Sequence, residues 1–449
     1  MNEGPGDTLA VLDEYLRSTL GNSPNVRIAV DESVGRHLVA TRDLAAGEVI
    51  ARETQAVAAP QSRLLCVCCS QRSAAAASCA SCGWPVCDAC ADQPPEARSL
   101  HAECAVLAPL LDCLQDNVAS LGRTAWLGSC LQNVVEPLQT VCAQDVAVRT
   151  LVHIAGVLDT NCFAVSAEDG LSGRALYPLL CLMAHDCSPN TNRFYDAGVM
   201  TLVATQPVPA GARVTTSYTS LLWGGEARRA HLAATKFFLC TCRRCQDPSE
   251  FGTDVTALAC RGGEGATGGS CGGRRVCRRH GEDLCWRCTR CEKSMTAAEV
   301  HTLHQVLALT LGRTLALRDA AKAEAWLEAH QGVLSENHYF LLEVRLALVD
   351  LYAADKEDAA GGSQRKRREL SQSLLEVTSR LEPGPTRLRG RLLCHLAESA
   401  LMSDGDHQGS YESIKKMAEE AAEILQYDGI LRPMANRVSH MARDRASAV

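Results

Sequence analysis

The spacing of the cysteines constrains the fold of this chain more than any other feature of its sequence. Cys240, Cys242 and Cys245 lie within six residues, where they can hold three corners of a tetrahedral zinc site but not the fourth. Cys187, in the stretch Ala-His-Asp-Cys-Ser-Pro-Asn at residues 184–190, is a candidate for the fourth corner. One zinc ion would then tie the segment after residue 236 to the earlier loop and close the region between them into one structural unit.

Four further pairs of metal-binding residues lie between residues 66 and 104. The members of each pair are separated by two residues, a spacing that presents both side chains to one metal ion. Eight ligands suffice for two closed tetrahedral sites, and closed sites are structural rather than catalytic. Cys68 is a spare thiol that competes with Cys69. The eight candidate ligands are Cys66, Cys69, Cys79, Cys82, Cys87, Cys90, His101 and Cys104.

A third group of cysteines lies in a glycine- and arginine-rich segment between residues 260 and 291. Cys288 and Cys291 form one half of a zinc site, and Cys260 and Cys271 are favoured for the other half. Three residues remain alternatives for that second half, namely Cys277, His280 and Cys285. The pattern predicts a ribbon-like structural zinc site.

The composition places these cysteines in a reducing compartment. Residues 1–6 lack the charged and apolar regions of a signal peptide, and the 24 cysteines of this 449-residue chain fall largely in metal-type pairs. Reduced, zinc-bound thiolates in the nucleus and cytoplasm fit this pattern better than disulfides do. No apolar run is long enough to span a membrane. A net charge of -7 and the lack of interleaved aromatics disfavour nucleic-acid binding, although arginine pairs occur at 274–275 and 278–279.

The hydrophobic pattern changes period along the chain. It predicts an amphipathic helix over 7–20, with Asp7 as N-cap and Gly21 at its end. Short strands with turns are predicted over 26–58, 161–165 and 198–218, and helices over 105–160 and 224–236. From 296 onward the chain reads as helices, either an array for protein contacts or a supporting bundle. The basic run at 365–368 is either a nuclear import signal or the solvated start of a helix.

In this order the motifs resemble those of the SET- and MYND-domain (SMYD) protein lysine methyltransferases, and within them the SmydA-type branch. The stretch at 184–190 resembles the SET signature Asn-His-Ser-Cys-x-Pro-Asn. Residues 35–50 resemble the opening strands of a split SET domain, and residues 211–218 resemble its Gly-Glu-Glu-Ile…Tyr segment. The ligands between 66 and 104 resemble a MYND zinc module, and Cys240-x-Cys242-x2-Cys245 resembles the post-SET cluster.

The resemblance implies an α+β, multidomain chain with a split, β-rich SET domain, an inserted MYND zinc module, a post-SET zinc cluster and a C-terminal all-α helical array. The implied segments are an N-terminal helix at 1–25, the first part of the SET domain at 26–60, the MYND module at 61–105, a helical SET insert at 106–170, the SET core at 171–236, the post-SET and zinc-ribbon-like segment at 237–294, and a helical, TPR-like domain at 295–449.

The resemblance also implies S-adenosylmethionine as methyl donor and assigns roles to individual residues. Tyr218 would lie beside the transferred methyl group as the catalytic tyrosine. Asn161 would contact the adenosine part of the cofactor, and Phe238 would pack on the adenine. The remaining residues that would line the cofactor are Gly35, Arg36, His37, Ala184 and His185, the last two through backbone groups.

The implied chemistry suits these residue types. Methyl transfer to an amine is an in-line displacement that requires alignment of donor and acceptor. The acceptor lysine must be uncharged, and burial in a narrow apolar channel lowers its pKa. The zinc ions, three of them and a fourth if the segment from Cys260 closes, would be structural. The implied partners are a histone or other lysine-bearing protein substrate, in a role in transcriptional regulation, and short peptides bound by the MYND module.

Three sites depart from the family pattern. His37 replaces a glycine, Ala184 replaces the signature asparagine, and Ala212-Arg213 replaces an acidic pair. Loss of one hydrogen bond at position 184 costs about 0.5–1.5 kcal/mol. The matching motifs support the first hypothesis, a protein-lysine methyltransferase. The departures support the alternative, a weak or inactive adaptor that binds partners through its zinc module.

Overall fold

The computed structural model of this chain describes residues 5–32, 34–60, 77–78, 85–86, 109–141, 146–166, 172–260, 271–280, 283–291, 293–355, 362–402 and 411–447. The chain forms two compact units. The first comprises Met1–Ala184, Arg193–Thr215 and Thr235–Phe237, and the second comprises His185–Asn192, Thr216–Ala234 and Phe238–Val449. None of the described helices combines the length and the apolar character needed to cross a bilayer.

Strands and short helices make up the first part of the chain. The strands are β1 (Val26–Asp31), β2 (Gly35–Ala40), β3 (Val49–Thr54), β4 (Val57–Pro60), β5 (Ala77–Ser78), β6 (Pro85–Val86), β7 (Phe163–Ser166), β8 (Ser172–Leu176), β9 (Ala184–His185), β10 (Thr191–Asp196), β11 (Val199–Ala204) and β12 (Thr215–Thr216). The helices are α1 (Pro5–Leu20), α2 (Val118–Leu121), α3 (Trp126–Cys130), α4 (Glu136–Val141) and α5 (Val148–Asn161), with a π-helical turn at Leu131–Val135 and a 3₁₀ turn at Leu180–Leu182.

The strands form small sheets. β1 pairs with β2 from Val26 opposite Ala40 to Asp31 opposite Gly35, and larger sheets have the orders β10-β11-β3 and β4-β8-β7. β9 pairs with β12, and β5 pairs with β6. Gly35 has a φ of +73°, a conformation that residues with a Cβ rarely adopt. The short strands expected over 26–58 are therefore present, and their hairpin needs this glycine.

A buried carboxylate joins three elements of the first unit. Glu53 on β3 is 1% exposed. It accepts hydrogen bonds from the Tyr15 hydroxyl on α1 and from the backbone N–H groups of Leu179 and Leu180, each at 2.9 Å. Burial raises its pKa to about 7, although these three donors act in the opposite direction. Because a buried carboxylate needs such partners, this residue fixes α1 and the turn after β8 against β3.

Several predicted boundaries need correction. α1 begins at Pro5, two residues before the expected N-cap Asp7, while its end before Gly21 is as predicted. α5 extends through Asn161, so the predicted strand begins only at Phe163. The helical stretch expected over 105–160 is broken by non-helical backbone at 113–117 and 122–125, and the π-helical turn joins α3 to α4. At the end of the region predicted as strands over 198–218, only Thr215–Thr216 forms a strand, β12. Its neighbours are irregular, and Thr216 O bonds the Asp186 N–H of residues 185–190, which we call the signature loop.

The second unit contains a small sheet and a series of helices. The helices are α6 (Gly225–Thr235), α7 (Arg243–Gln246), α8 (Ala297–Ala316), α9 (Ala320–His330), α10 (Tyr339–Ala354), α11 (Gly362–Leu381), α12 (Arg387–Leu401), α13 (Tyr411–Leu425) and α14 (Arg432–Ser447). The strands β13 (Leu258–Ala259), β14 (Arg274–His280), β15 (Asp283–Cys288) and β16 (Ser294–Thr296) form one antiparallel sheet in chain order.

From α8 onward each helix packs against the next in the chain, so the predicted helical array is confirmed. α8 starts with a capping box, in which Thr296 and Glu299 bond each other's backbone N–H. The sheet and the first helices share one apolar core that includes Trp286, Leu311 and Phe340. The α+β class, with a strand-rich part and a C-terminal helical part, is therefore as predicted.

The basic run at 365–368 lies inside α11. Arg367 is 1% exposed and its Nε donates to His395 Nδ1 at 3.0 Å. Lys366 Nζ lies 2.6 Å from a Glu324 carboxylate oxygen. The run is therefore helical, with Arg367 buried and Lys366 about half exposed.

Candidate zinc cluster and cofactor-site residues

The first cysteine cluster lies in the second unit. The Sγ atoms of Cys187, Cys240, Cys242 and Cys245 all lie within 4.8 Å of one another. Cys187 Sγ is 3.9 Å from Cys240 Sγ and 3.5 Å from Cys245 Sγ. Tetrahedral zinc with Zn–S bonds of about 2.3 Å separates its sulfurs by about 3.8 Å. The donor set and its spacing therefore fit a closed zinc site, and Cys187 takes the fourth corner that the sequence suggested.

Local backbone bonds turn Cys187 inward. The Asp186 N–H donates to Thr216 O at 3.1 Å, which continues the pairing of β9 with β12. The Ser188 N–H donates to Asp186 Oδ1 at 2.8 Å, which forms a turn around Cys187. Cys187 is 1% exposed as a result. On the other side of the cluster, the short helix α7 begins directly after Cys242 and contains Cys245.

His185 connects this cluster with Tyr218. The Tyr218 N–H donates to His185 Nδ1 at 3.1 Å, so Nδ1 carries no proton and the neutral ring bears its hydrogen on Nε2. That Nε2 lies 3.2 Å from Cys187 Sγ and donates to it. Burial lowers the pKa of His185 to about 4, which keeps the ring neutral. The sequence predicted a role for the His185 backbone, and the structure adds a structural role for its side chain.

Three predicted functional residues therefore meet in the second unit. The His185 ring centroid lies 5.1 Å from that of Tyr218 and 5.8 Å from that of Phe238. Tyr218 also packs on the apolar cluster formed by Cys187, Leu232 and Cys240. Phe238 keeps 36% of its surface exposed, so one ring remains available to a ligand.

The other predicted cofactor residues lie in the first unit, at the start of β2, at the end of α5 and, for Ala184, on β9. A Cβ built on Gly35 would meet no atom within 4 Å, so its backbone is open to a ligand. Arg36 follows it and is half-buried. His37 is 4% exposed and its Nδ1 lies 3.0 Å from Gly35 O. The imidazole that replaces the family glycine is thus folded back on the turn. Ala184 is buried, at 7% exposed.

Asn161 has less capacity for a ligand than the resemblance implies. Its Nδ2 donates to Gln115 O and to Val157 O, both at 2.7 Å. An amide NH₂ group has two hydrogens, so both are used within the chain. The neighbouring Thr160 O accepts from Lys236 Nζ at 2.5 Å, and burial lowers the pKa of Lys236. The sequence offered no signal that Lys236 would be buried beside the end of α5.

The second cysteine cluster contains Cys260, Cys271, Cys288 and Cys291, whose Sγ atoms also lie within 4.8 Å of one another. Cys260 is 3.5 Å from Cys291, and Cys271 is 3.6 Å from Cys288. A Cβ on Gly273 would lie 2.5 Å from Cys288 Sγ, so the backbone is shaped to this cluster. Two of the alternatives, Cys277 and Cys285, lie on β14 and β15 and are not members of it.

The sulfur of Cys288 receives backbone N–H groups, as metal-bound thiolates commonly do. Arg290 N and Cys291 N lie 3.4 Å and 3.5 Å from it. Burial raises its pKa, but these donors outweigh burial and bring it to about 6. A thiol that readily becomes a thiolate is a suitable zinc ligand. The donor set of the second cluster therefore also fits zinc.

The eight ligands predicted between Cys66 and Cys104 lie outside the described residues. Within that segment the structure describes only β5 and β6, in which Ala77 pairs with Val86 and Ser78 with Pro85. The two MYND-type zinc sites remain predictions.

Two buried arginines beside the first cluster were missed by sequence reasoning. Arg228 and Arg244 are both 0% exposed and both bond Glu250 Oε2, at 2.6 Å and 2.7 Å. A weak signal existed, because Arg228 lies one turn before the buried Leu232 on the same face of α6. Charged residues are rarely buried without a partner, so the pattern alone did not indicate it.

Comparison with known proteins defines the class of this site. The model of the SET domain matches residues 35–219. "SET domain-containing protein SmydA-8, isoform A" of Drosophila melanogaster is 30% identical over 298 residues, which cover 57% of this chain and 64% of that protein. "Histone-lysine N-methyltransferase Smyd1" of Mus musculus is 26% identical over 283 residues, which cover 51% and 57%. The chain contains a SET domain.

More narrowly, the relatives that this chain matches are SmydA and SMYD proteins, so its SET domain is similar to those of the SMYD family. The chain spans somewhat less than two thirds of the length of the SmydA-8 proteins it matches. Among solved structures, the SET domain of LSMT bound to lysine and AdoHcy aligns with 99% of this chain and 92% of that chain, at a TM-score of 0.35 and 11% identity. At that score the likeness supports no conclusion about this chain.

Proposed function

We propose that this chain is an S-adenosylmethionine-dependent protein-lysine N-methyltransferase. The observation that carries the proposal is the contact of the His185 ring with Tyr218 and Phe238, while His185 and Tyr218 also contact the four-cysteine cluster, within and just beyond the residues that match a SET domain. Relatives bear the names histone-lysine N-methyltransferase and N-lysine methyltransferase. A histone or another protein is the proposed substrate, with a role in transcriptional regulation and residence in nucleus and cytoplasm.

The residues fit the cofactor in part. The open backbone at Gly35 and the exposed ring of Phe238 suit a nucleoside-bearing ligand. Asn161 retains its carbonyl oxygen but not its amide hydrogens for such a ligand. When bound, S-adenosylmethionine supplies an electrophilic methyl group. Within the second unit, Phe238 and the backbone of His185 are the residues we expect to hold it.

The chain itself positions the tyrosine. His185 holds the backbone N–H of Tyr218, while Cys187 holds the other edge of the imidazole. Tyr218 is thereby anchored to the cysteine cluster. Its hydroxyl would orient the uncharged lysine amine, and preorganised polar groups of this kind stabilise transition states without reorganisation.

The four-cysteine clusters are proposed to hold one structural zinc ion each, and the segment between Cys66 and Cys104 two more. Metal analysis of the purified full chain should then give four zinc ions per chain. A value of three would be expected if the ribbon-like site of Cys260, Cys271, Cys288 and Cys291 binds no zinc.

Calorimetric titration of the zinc-loaded chain with S-adenosylmethionine tests the function, followed by transfer of a labelled methyl group to histones and a protein array. Tyr218→Phe should lower transfer by about a hundredfold or more while cofactor affinity stays unchanged. Tyr411→Phe, in the helical array, is the matched control and should be inert. No binding at millimolar cofactor by a fully zinc-loaded chain would sink the proposal.

An inactive adaptor is the second candidate, since His37 and Asn161 bond within the chain instead of standing open to a ligand. It predicts that Tyr218→Phe leaves cellular function intact, and that short peptides bind the MYND segment. The comparisons do not favour it over the enzyme.

A further inference from the structure

A buried triad of charged residues adjoins the first cysteine cluster. Glu250 Oε2 accepts from Arg228 Nη1 at 2.6 Å and from Arg244 Nε at 2.7 Å, and its Oε1 accepts from Gly225 N at 2.8 Å. The two arginine side chains are 0% exposed and that of Glu250 is 4% exposed. Two guanidinium groups and one carboxylate leave one positive charge out of water. An uncompensated buried charge is strongly unfavourable, so a neighbouring negative charge is required.

The two arginines have different surroundings. Arg244 donates to three backbone carbonyls: Cys187 O at 3.1 Å, Leu221 O at 2.9 Å and Trp223 O at 3.3 Å. Its role is architectural, because it ties the signature loop to the loop that follows Tyr218.

Arg228 instead faces sulfur. Its Nη2 lies 3.7 Å from Cys245 Sγ, and its Nη1 also donates to Trp223 O. Its Nε has no hydrogen-bond partner among the described residues. One edge of this guanidinium is therefore directed at the cysteine cluster and not at a carboxylate or carbonyl group.

The charges of triad and cluster are complementary. Four thiolates and one Zn²⁺ sum to two negative charges, whereas the same cysteines as thiols carry none. Zinc binding thus makes the site more negative by two charges, and a fixed positive charge beside it favours the loaded state. Mutation of a residue that hydrogen-bonds a metal ligand commonly lowers metal affinity by about 10–100-fold.

We propose that Arg228 is the charge partner of the zinc–thiolate cluster, and that the positive charge of its guanidinium slows the loss of zinc from this site. His185 donates a neutral N–H to Cys187 on the other side, so Arg228 is the cationic donor of the pair. The inference does not depend on methyl transfer. It does require that zinc occupies this cluster, which metal analysis tests separately.

The test measures zinc transfer from the full chain to a chromophoric chelator at neutral pH. The relevant kinetic phase is the one that Cys187→Ser eliminates. Arg228→Met should accelerate this phase by about tenfold or more, while Arg228→Lys, which keeps the charge, should stay within about threefold. Arg367→Met is the matched control: Arg367 is equally buried and bonds Glu398 at 2.5 Å, but it lies in the helical array. Its loss should weaken the fold without changing this phase.

Glu250→Gln separates charge from architecture. It raises the positive charge beside the cluster, so the proposal predicts slower zinc release, whereas a purely structural role predicts faster release. In the cobalt-substituted chain, the thiolate-to-cobalt absorption should move to lower energy in Arg228→Met and to higher energy in Glu250→Gln. Shifts of the same sign, or an unchanged release rate in Arg228→Met, would overturn the proposal. If Arg228→Met does not fold, the direction of the Glu250→Gln effects decides.

Discussion

Each of the two four-cysteine clusters offers a metal ion four cysteine sulfurs, but the residues around the two clusters differ. The first joins residues 53 positions apart, packs against Tyr218 and Leu232, and lies beside two buried arginines. The second joins the ends of short strands, and one of its ligands, Cys291, is exposed. The donor set and its spacing define a zinc site, whereas the neighbouring residues decide which part of the fold that site stabilises. We infer that the first supports the signature loop and the second only its own sheet.

Removal of Cys187 should have the largest effect. Cys187→Ser should lower the free energy of unfolding by about 5 kcal/mol or more, since binding of a structural zinc is folding free energy. It should also abolish methyl transfer, because His185 loses its sulfur partner and Tyr218 its anchor. The measurements are zinc content, which should fall by one ion, and urea-induced unfolding.

Cys291→Ser is the counterpart in the second cluster. It should also remove one zinc ion, but the tyrosine signal in near-ultraviolet circular dichroism should persist. If Cys291→Ser eliminates methyl transfer as completely as Cys187→Ser does, the distinction between the two clusters is wrong.

Acid should weaken the core beneath the second cluster. The Phe340 N–H donates to His338 Nδ1 at 3.3 Å, and His338 Nε2 lies 3.3 Å from His304 Nε2. Both imidazoles are therefore neutral, and burial lowers the pKa of His304 to about 4, with a smaller contribution from His301 in the same direction.

Because the unfolded histidine titrates near 6.5, this stabilisation is complete above that pH. It is lost as the pH falls from about 6.5 towards 4, by about 3 kcal/mol from His304 alone. The fluorescence of Trp286 and Trp326 during chemical unfolding at pH 7.5 and pH 5 measures it. His304→Phe should flatten the dependence; an unchanged pH profile in that variant would contradict the assignment.

Gly273→Ala should have the smallest effect of the set. The added methyl group would lie 2.5 Å from Cys288 Sγ, and overpacking typically costs about 1–3 kcal/mol. Zinc affinity of the second cluster should fall by about tenfold or more, while zinc in the first cluster stays bound. Gly332→Ala is the control, since a Cβ there meets no atom within 4 Å, and competition with a chelator reads both sites. Equal zinc loss in both variants would refute the close fit at Gly273.

The corrected boundaries show where local patterns end. The short strands β1 and β2 followed from hydrophobic periodicity, because this signal acts over a few residues. The start of α1, the extension of α5 to Asn161 and the π-helical turn did not, because their stability comes from packing that propensity alone does not contain.

The sequence by itself determined the chemistry of the ligands. Cysteines at spacings of one and two residues make metal-binding turns wherever they occur, and the order of motifs indicated a SET domain before any coordinates. Only the tertiary structure decided which distant residues complete each site. The tertiary structure brings Cys260 and Cys271, and not Cys277 and Cys285, into the second cluster. It engages both amide hydrogens of Asn161 within the chain. It also buries Arg228, Arg244 and Glu250 beside the first cluster. Long-range contacts of this kind depend on where the whole chain places a side chain, and a charged residue gives no local sign that it will be buried.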